Sequence, residues 1–295
     1  IVFGDWSSDV CSSDLHSIQI AKKLEKNGQK FTIIGLDKDQ IALDHAKQAI
    51  NKENLTGDFS LVHGDFRDIK NIIQNMNISY LDGILLDLGV SSMQLDDKSR
   101  GFSFEEKNAP LDMRMDQSQS ETATDILNYS TERELTQILK DGEEKYHHSI
   151  AKNIVKFRKE KEIKTVGDLI NILAKSTPKK SGKTHFATDT FRALRLKVNE
   201  ETNNLEQSIT DCVETLNKNG RIFVITFHSI EDRIIKNTFR KLENPCTCPP
   251  DLPFCHCGKK PIGKIITKKA IVPTEAEIQE NPRSRSSKLR IFKKI

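Results

Sequence analysis

Residues 82–94, Asp-Gly-Ile-Leu-Leu-Asp-Leu-Gly-Val-Ser-Ser-Met-Gln, constrain the fold of this chain more than any other stretch. Ile84, Leu85 and Leu86 form a short continuous apolar run, the pattern of a strand buried on both faces of a parallel sheet. Asp87 falls at the carboxyl end of that run, where open α/β sheets bind their ligands. The plainer reading of Asp87 is a cap for the segment that follows.

The residues before it repeat the theme. The pattern predicts a strand over 30–36 and an amphipathic helix over 40–50, with Ile41, Ala42, Ala46, Ala49 and Ile50 as its apolar face. A second strand follows at 60–63, then a short helix at 69–76 and the strand at 83–87. Strands alternating with helices at this spacing imply a parallel, doubly wound sheet. Residues 96–120 are polar and read as a long loop, with Gly101, Pro110 and two methionines flanking Arg114. Residues 121–176 read as helical, with caps at Thr122 or Thr131 and at Thr165. Strand character returns at 221–227, after Asn219-Gly220. The expected fold class is α/β, a Rossmann-like sheet interrupted by an inserted helical domain.

At 295 residues the chain is long enough for such a domain with an insertion. It is 36% hydrophobic and 30% charged, the balance of a globular protein and not a disordered one. No apolar run approaches the roughly 20 residues that span a bilayer. The first fifteen residues have no basic start and contain Asp5, Asp9 and Asp14, unlike a secretory signal, so a cytoplasmic location is expected. Net charge is +4, but residues 259–295 carry eleven Lys and Arg against three Glu, leaving −4 for the rest. A basic end of this kind suits nucleic-acid phosphates, or is simply a solvated face.

Three strand ends offer ligand contacts. Asp37 follows the strand at 31–36, where an acid commonly accepts hydrogen bonds from the ribose hydroxyls of a nucleoside cofactor; the alternative is a helix N-cap. Phe66, after His63-Gly64-Asp65, can pack on an adenine or belong to the core, and His63 reads as a buried strand residue. Asp87 lies at the next strand end along.

With these residues in place the chain resembles the bacterial 16S rRNA (cytosine-N4)-methyltransferase family, of the RsmH or MraW type. The matching segments are Gly35-Leu36-Asp37-Lys38-Asp39, the 82–94 block, Ser99-Arg100-Gly101-Phe102-Ser103-Phe104 and Pro110-Leu111-Asp112-Met113-Arg114-Met115. Residues 187–199, Thr226-Phe227-His228-Ser229-Ile230-Glu231-Asp232-Arg233 and the 281–290 segment Asn-Pro-Arg-Ser-Arg-Ser-Ser-Lys-Leu-Arg complete the match, which runs from His16 nearly to the end. The resemblance implies S-adenosylmethionine as cofactor and methylation of a cytidine amine in the decoding region of small-subunit rRNA. It implies a cofactor site at Asp37, Phe66, Asp87 and Gln94, with a glycine loop ending at His16. The implied partner is 16S rRNA within the small ribosomal subunit, and a homodimer stays open.

Asp87 and His228 are the catalytic candidates: Asp87 to hold the cofactor's amino group or contact the target amine, His228 to orient substrate or exchange protons, against a structural hydrogen bond. Enzymes acting on a base commonly extrude it, and Phe102, Phe104 and Arg114 are candidates to receive it, with packing the alternative for each Phe. Arg192, Arg195, Arg283, Arg285, Lys288 and Arg290 join Arg114 as expected RNA contacts. Cys246, Cys248, Cys255 and Cys257 place four soft ligands within twelve residues, a composition suited to structural zinc. Their single-residue spacing is less usual than two, and the resemblance supplies no metal role, so no metal is assigned from sequence.

One segment departs from the family pattern. The resemblance implies Asp-x-Thr-x-Gly-x-Gly-Gly-His-Ser, whereas His16-Ser17 here follow Cys11-Ser12-Ser13-Asp14-Leu15. Every expected glycine is absent, and so is the usual segment before the loop. Residues 5–15 read like a translated sequencing adapter joined to a truncated gene. The expected organisation is therefore an aberrant segment at 1–15, a methyltransferase domain in two parts at 16–110 and 191–295, and a helical, substrate-recognising insertion at 111–190. A second reading is a non-catalytic RNA-binding homologue that has lost its cofactor. A dinucleotide-dependent oxidoreductase is disfavoured by the missing Gly-x-Gly-x-x-Gly fingerprint.

Overall fold

The computed structural model describes residues 2–4, 16–177, 185–249, 254 and 256–295. It divides into two compact units, 1–89 with 204–295 and 90–203. The unit boundaries therefore fall at 89/90 and 203/204, where sequence placed them at 110/111 and 190/191. The polar 96–120 segment goes with the helices because it is tied to them by hydrogen bonds, described below.

The first unit is built on seven strands: β1 (Val2–Gly4), β2 (Thr32–Asp37), β3 (Asp58–His63), β4 (Leu81–Asp87), β5 (Leu216–Thr226), β6 (Gly263–Ile265) and β7 (Lys288–Lys294). Their order is β3-β2-β1-β4-β5-β7-β6. β1 to β5 run parallel, and β7 is antiparallel to both of its neighbours. Val2–Gly4, which sequence counted with the aberrant segment, thus lies inside the sheet as its third strand, with Gly4 paired to Leu36 on one side and Leu86 on the other. This is a Rossmann-like α/β sheet.

Around the sheet lie α1 (His16–Lys26), α2 (Gln40–Lys52), α3 (Ile69–Asn75), and later α10 (Leu205–Thr215) and α11 (Ser229–Glu243). The apolar runs read from sequence explain the burial. Ile34, Leu36, Ile84, Leu86, Ile222 and Val224 form one core with Leu205, Ile209 and Val213 of α10 and Phe239 of α11. Phe239 stacks on Phe292 of β7 with ring centroids 5.0 Å apart. Asp39 starts α2 by accepting from Ile41 N–H at 3.0 Å.

The second unit carries α4 (Ser92–Asp96), α5 (Ala123–Tyr129), α6 (Glu132–Asp141), α7 (His147–Arg158), α8 (Val166–Ser176) and α9 (Thr188–Val198). Thr122, Thr131 and Thr165 all cap helices, each in a reciprocal box with the acid three residues on. Leu135, Leu139, Ile150, Ile154, Leu169, Leu173 and Leu194 share its separate core with Leu111 and Met113 of the polar segment. A last short helix, α12 (Glu275–Glu280), precedes β7. No helix among the described residues is long and apolar enough to cross a membrane.

Candidate active site

The site begins with a level relation between strands. β2 and β4 flank β1, and Leu36 and Leu86 pair with the same residue, Gly4. Asp37 and Asp87 are the next residues of their strands and therefore sit at one height on either side of β1, at the carboxyl end of the sheet. Both are buried, at 7% and 4% exposure. Two carboxylates rarely go so deep in a core unless they are paired or meet a ligand.

Asp37 Oδ1 accepts from Asp39 N–H at 2.7 Å. That bond fixes the carboxylate's orientation, and it is Asp39, not Asp37, that caps α2. Asp87 faces α1: His16 Nδ1 lies 3.8 Å from Asp87 Oδ2, with the imidazole 44% exposed and the carboxylate 6%. Gly89 follows with φ of +113°, a conformation side chains rarely adopt, so the chain turns sharply just after the acid.

At the end of β3, Asp65 takes a place that sequence had not assigned it. Its carboxylate meets Lys38 Nζ at 2.8 Å and both Arg67 Nε and a terminal Arg67 nitrogen at 2.6 Å. Burial works to raise its pKa, but the Arg67 and Lys38 contacts outweigh it and hold the carboxyl below its ordinary value. The signal was present as Asp-Phe-Arg, an acid and a base two residues apart. Phe66 beside it is 5% exposed and packs into the sheet's core with Ile69 and Ile73. His63, expected to be buried, is exposed, with Nε2 2.8 Å from Lys38 O. The correction follows from strand order: β3 is an edge strand, so its ends are open.

Gln94 belongs to the second unit. It is 6% exposed and completes a capping box with Ser91: Gln94 N–H donates to Ser91 Oγ at 3.1 Å, and Ser91 N–H to Gln94 Oε1 at 3.0 Å. His228 caps α11, accepting from Glu231 N–H on Nδ1 at 3.4 Å while Nε2 lies 3.1 Å from Glu231 Oε1. Glu231 in turn accepts from Phe227 N–H at 3.3 Å. The structural alternative for His228 therefore has a named partner, Glu231, three residues on in the first turn of α11.

Among the expected RNA contacts, Arg114, Arg192, Arg195, Lys288 and Arg290 are engaged within the protein. Arg114 forms two bonds of 2.8 Å to Asp112 and also donates to the carbonyls of Gln117 and Gln119. Burial opposes ionisation of Asp112, and Arg114 more than compensates, lowering the carboxyl's pKa. Arg192 donates to Gly142 O, and Arg195 holds Glu201 through two bonds of 2.8 and 2.9 Å. Arg290 grips Asp232 at 2.6 and 3.1 Å, with Lys288 Nζ 3.3 Å away. Arg283 and Arg285 are exposed. Of the aromatic candidates, Phe102 is a core residue at 6% exposure, and half-buried Phe104 packs against that core, stacking on His185 at 4.3 Å and meeting Phe191 edge-on.

Asn199 explains why the polar segment joins the helical unit. Its side chain accepts from Met115 N–H at 2.7 Å and donates to Met113 O at 2.7 Å, while buried Arg100 donates to the carbonyls of Arg114 and Met115.

A parallel sheet of this order, closed by an antiparallel strand, is a Rossmann-like α/β fold, with Asp37 and Asp87 at the end of its strands where such sheets bind ligands. The model of the MraW methylase family matches residues 14–295. Ribosomal RNA small subunit methyltransferase H 2 of Agathobacter rectalis is 45% identical over 283 residues, covering 95% of this chain and 88% of that protein. Ribosomal RNA small subunit methyltransferase H of Clostridium botulinum strain Kyoto is 48% identical, covering 95% and 89%. The protein of that name from Acetivibrio thermocellus is 47% identical with the same coverage. The chain belongs to the MraW methylase family. Residues 5–15, which sequence marked as foreign, lie outside the described residues.

Proposed function

We propose that this protein transfers a methyl group from S-adenosylmethionine to the exocyclic N4 of a cytidine in the decoding region of 16S rRNA. The observation that carries the reading is the pair of buried acids, Asp37 and Asp87, flanking β1 at the ligand-binding end of a methyltransferase sheet.

The donor set fits the cofactor. Asp37 offers carboxylate oxygen to a ribose diol from a strand end suited to that contact. Asp87 brings a negative charge to a ligand whose amine and sulfonium are cationic. The opening turn of α1 presents amides without helical partners, which complement a carboxylate. When bound, S-adenosylmethionine supplies an electrophilic methyl group. An exocyclic amine needs no covalent nucleophile from the enzyme, so holding its lone pair in line with the methyl does most of the work. Asp87 acts as a hydrogen-bond acceptor for an amine, whether the cofactor's or the target's. The methylated nitrogen must shed a proton, and His16 Nδ1, 3.8 Å from Asp87, stands where it can pass one to solvent. Arg283 and Arg285 supply phosphate contacts, and the helical unit selects the substrate. The names of the relatives support small-subunit rRNA as the target.

The absence of glycine from residues 11–15 favours a second reading, an RNA-binding homologue without cofactor. Calorimetric titration with S-adenosylmethionine separates the two, on this chain and on one whose residues 5–15 are replaced by the family's glycine loop, leaving β1 in place. Binding by either form supports the methyltransferase, and binding by the second alone assigns the defect to the amino terminus. Binding by neither sinks the cofactor site. Methyl groups delivered to any base but cytidine in 16S rRNA would sink the N4 assignment.

A further inference from the structure

The chain between α11 and β6 has no helix or strand among its described residues, yet its ends are fixed. Ile262 N–H donates to Leu242 O at 3.1 Å, and Ile265 N–H to Glu243 Oε1 at 2.9 Å. Between those anchors the chain brings three thiols together. The sulfurs of Cys246, Cys248 and Cys257 all lie within 4.8 Å of one another, and Cys257 Sγ is 3.8 Å from Cys246 Sγ.

Three cysteines at this range have two chemistries open to them. A disulfide joins two sulfurs at about 2.05 Å and leaves the third outside. Sulfurs bound tetrahedrally to one zinc at about 2.3 Å lie about 3.8 Å apart, the edge of that tetrahedron. The Cys246–Cys257 separation is that of the second arrangement, and the third sulfur lies within 4.8 Å of both. The backbone agrees: His256 N–H points at Cys248 Sγ from 3.4 Å and fixes that sulfur beside the other two. Gly258, next after Cys257, has φ of +65°, the left-handed turn that lets a chain fold back over a metal-bound sulfur.

We propose that Cys246, Cys248 and Cys257 ligate a structural zinc ion. Thiolate donors favour zinc over magnesium or calcium, and each thiol releases its proton to solvent as the metal binds. Exposed Lys259 and Lys260 follow directly and offset the negative charge of a zinc–thiolate centre. Cys255, which lies outside the described residues, is not needed for the argument. The ion replaces the apolar core that this short connection cannot build and fixes the path from α11 to β6, an edge strand of the sheet.

The test uses the full chain, purified under reductant and measured for metal by mass spectrometry after gel filtration. The expected result is about one zinc per chain, falling about tenfold in Cys246→Ser/Cys257→Ser. Should that variant not fold, cobalt added to the metal-stripped wild-type protein gives the second readout, an intense sulfur-to-cobalt charge-transfer band. A wild-type protein that holds no zinc and shows no such band with cobalt overturns the proposal. So does a Cys246–Cys257 disulfide found by peptide mapping of freshly purified protein.

Discussion

Replacing Asp87 by Asn keeps the side chain's shape and removes its charge, at a site where burial leaves little room for compensation. Methyl transfer by Asp87→Asn is expected to fall by at least about 100-fold, in the range of a lost acid–base or electrostatic contribution, with little change in thermal unfolding. Single-turnover transfer from labelled cofactor reads the effect; a rate equal to wild type removes Asp87 from the site. Asp232 makes the opposite prediction, because its partners are internal. Burial pushes its pKa up, but Arg290 and Lys288 outweigh that and hold it below the ordinary 3.8. The stabilisation is therefore present in full above that value and is lost as pH falls through the lower, folded-state value. Asp232→Asn leaves Arg290 buried without its anion and should cost about 3 kcal/mol at pH 7. Urea unfolding from pH 7 down to pH 2 should show the gap between the two proteins closing in acid, and a gap independent of pH would mean that charge is not what Asp232 contributes.

At the scale of elements, helix caps were the most legible feature. Thr122, Thr131 and Thr165 each precede an acid by three residues, and each starts a helix because the side chain satisfies an amide that the helix cannot. Thr165→Ala on α8 is expected to cost about 1 kcal/mol, read from the urea midpoint of unfolding. No loss would mean that Asp168, which also accepts from Lys164 N–H and Lys161 Nζ, holds that turn unaided. Strands β2, β4 and β5 were legible because their inward residues are continuous and apolar. β7 was not, since one of its two most buried residues, Arg290, is charged and only its pairing with Asp232 makes it an inward residue. Sequence shows the charge and not the partner 58 positions away. The site divides the same way: strand-end acids follow from local pattern, whereas the edge position of β3, which exposes His63, depends on strand order.

For the whole molecule, the basic end of the chain is the quantity that connects fold to substrate, and folding changes how much of it faces solvent. Lys288 and Arg290 are held by Asp232, and Lys294 Nζ donates to the carbonyls of Glu214 and Leu216. Lys259, Lys260, Lys264, Lys268, Lys269, Arg283 and Arg285 remain exposed. Exposed charges that meet phosphate displace counterions from a nucleic acid, and that displacement sets the salt dependence of binding. The affinity for a 16S rRNA fragment should therefore fall steeply with salt. Removing two phosphate contacts with Arg283→Ala/Arg285→Ala should reduce the slope of log K against log salt by about 1.4 for single-stranded RNA. Arg195→Ala, which releases Glu201 inside the helical unit, should lower stability and leave the slope unchanged. If the double variant kept the wild-type slope, the basic end would be a solvated face and the RNA contact would have to be sought elsewhere. If Arg195→Ala shifted the slope while the fold stayed intact, Arg195 would exchange Glu201 for phosphate on binding, a competition that raising salt should weaken.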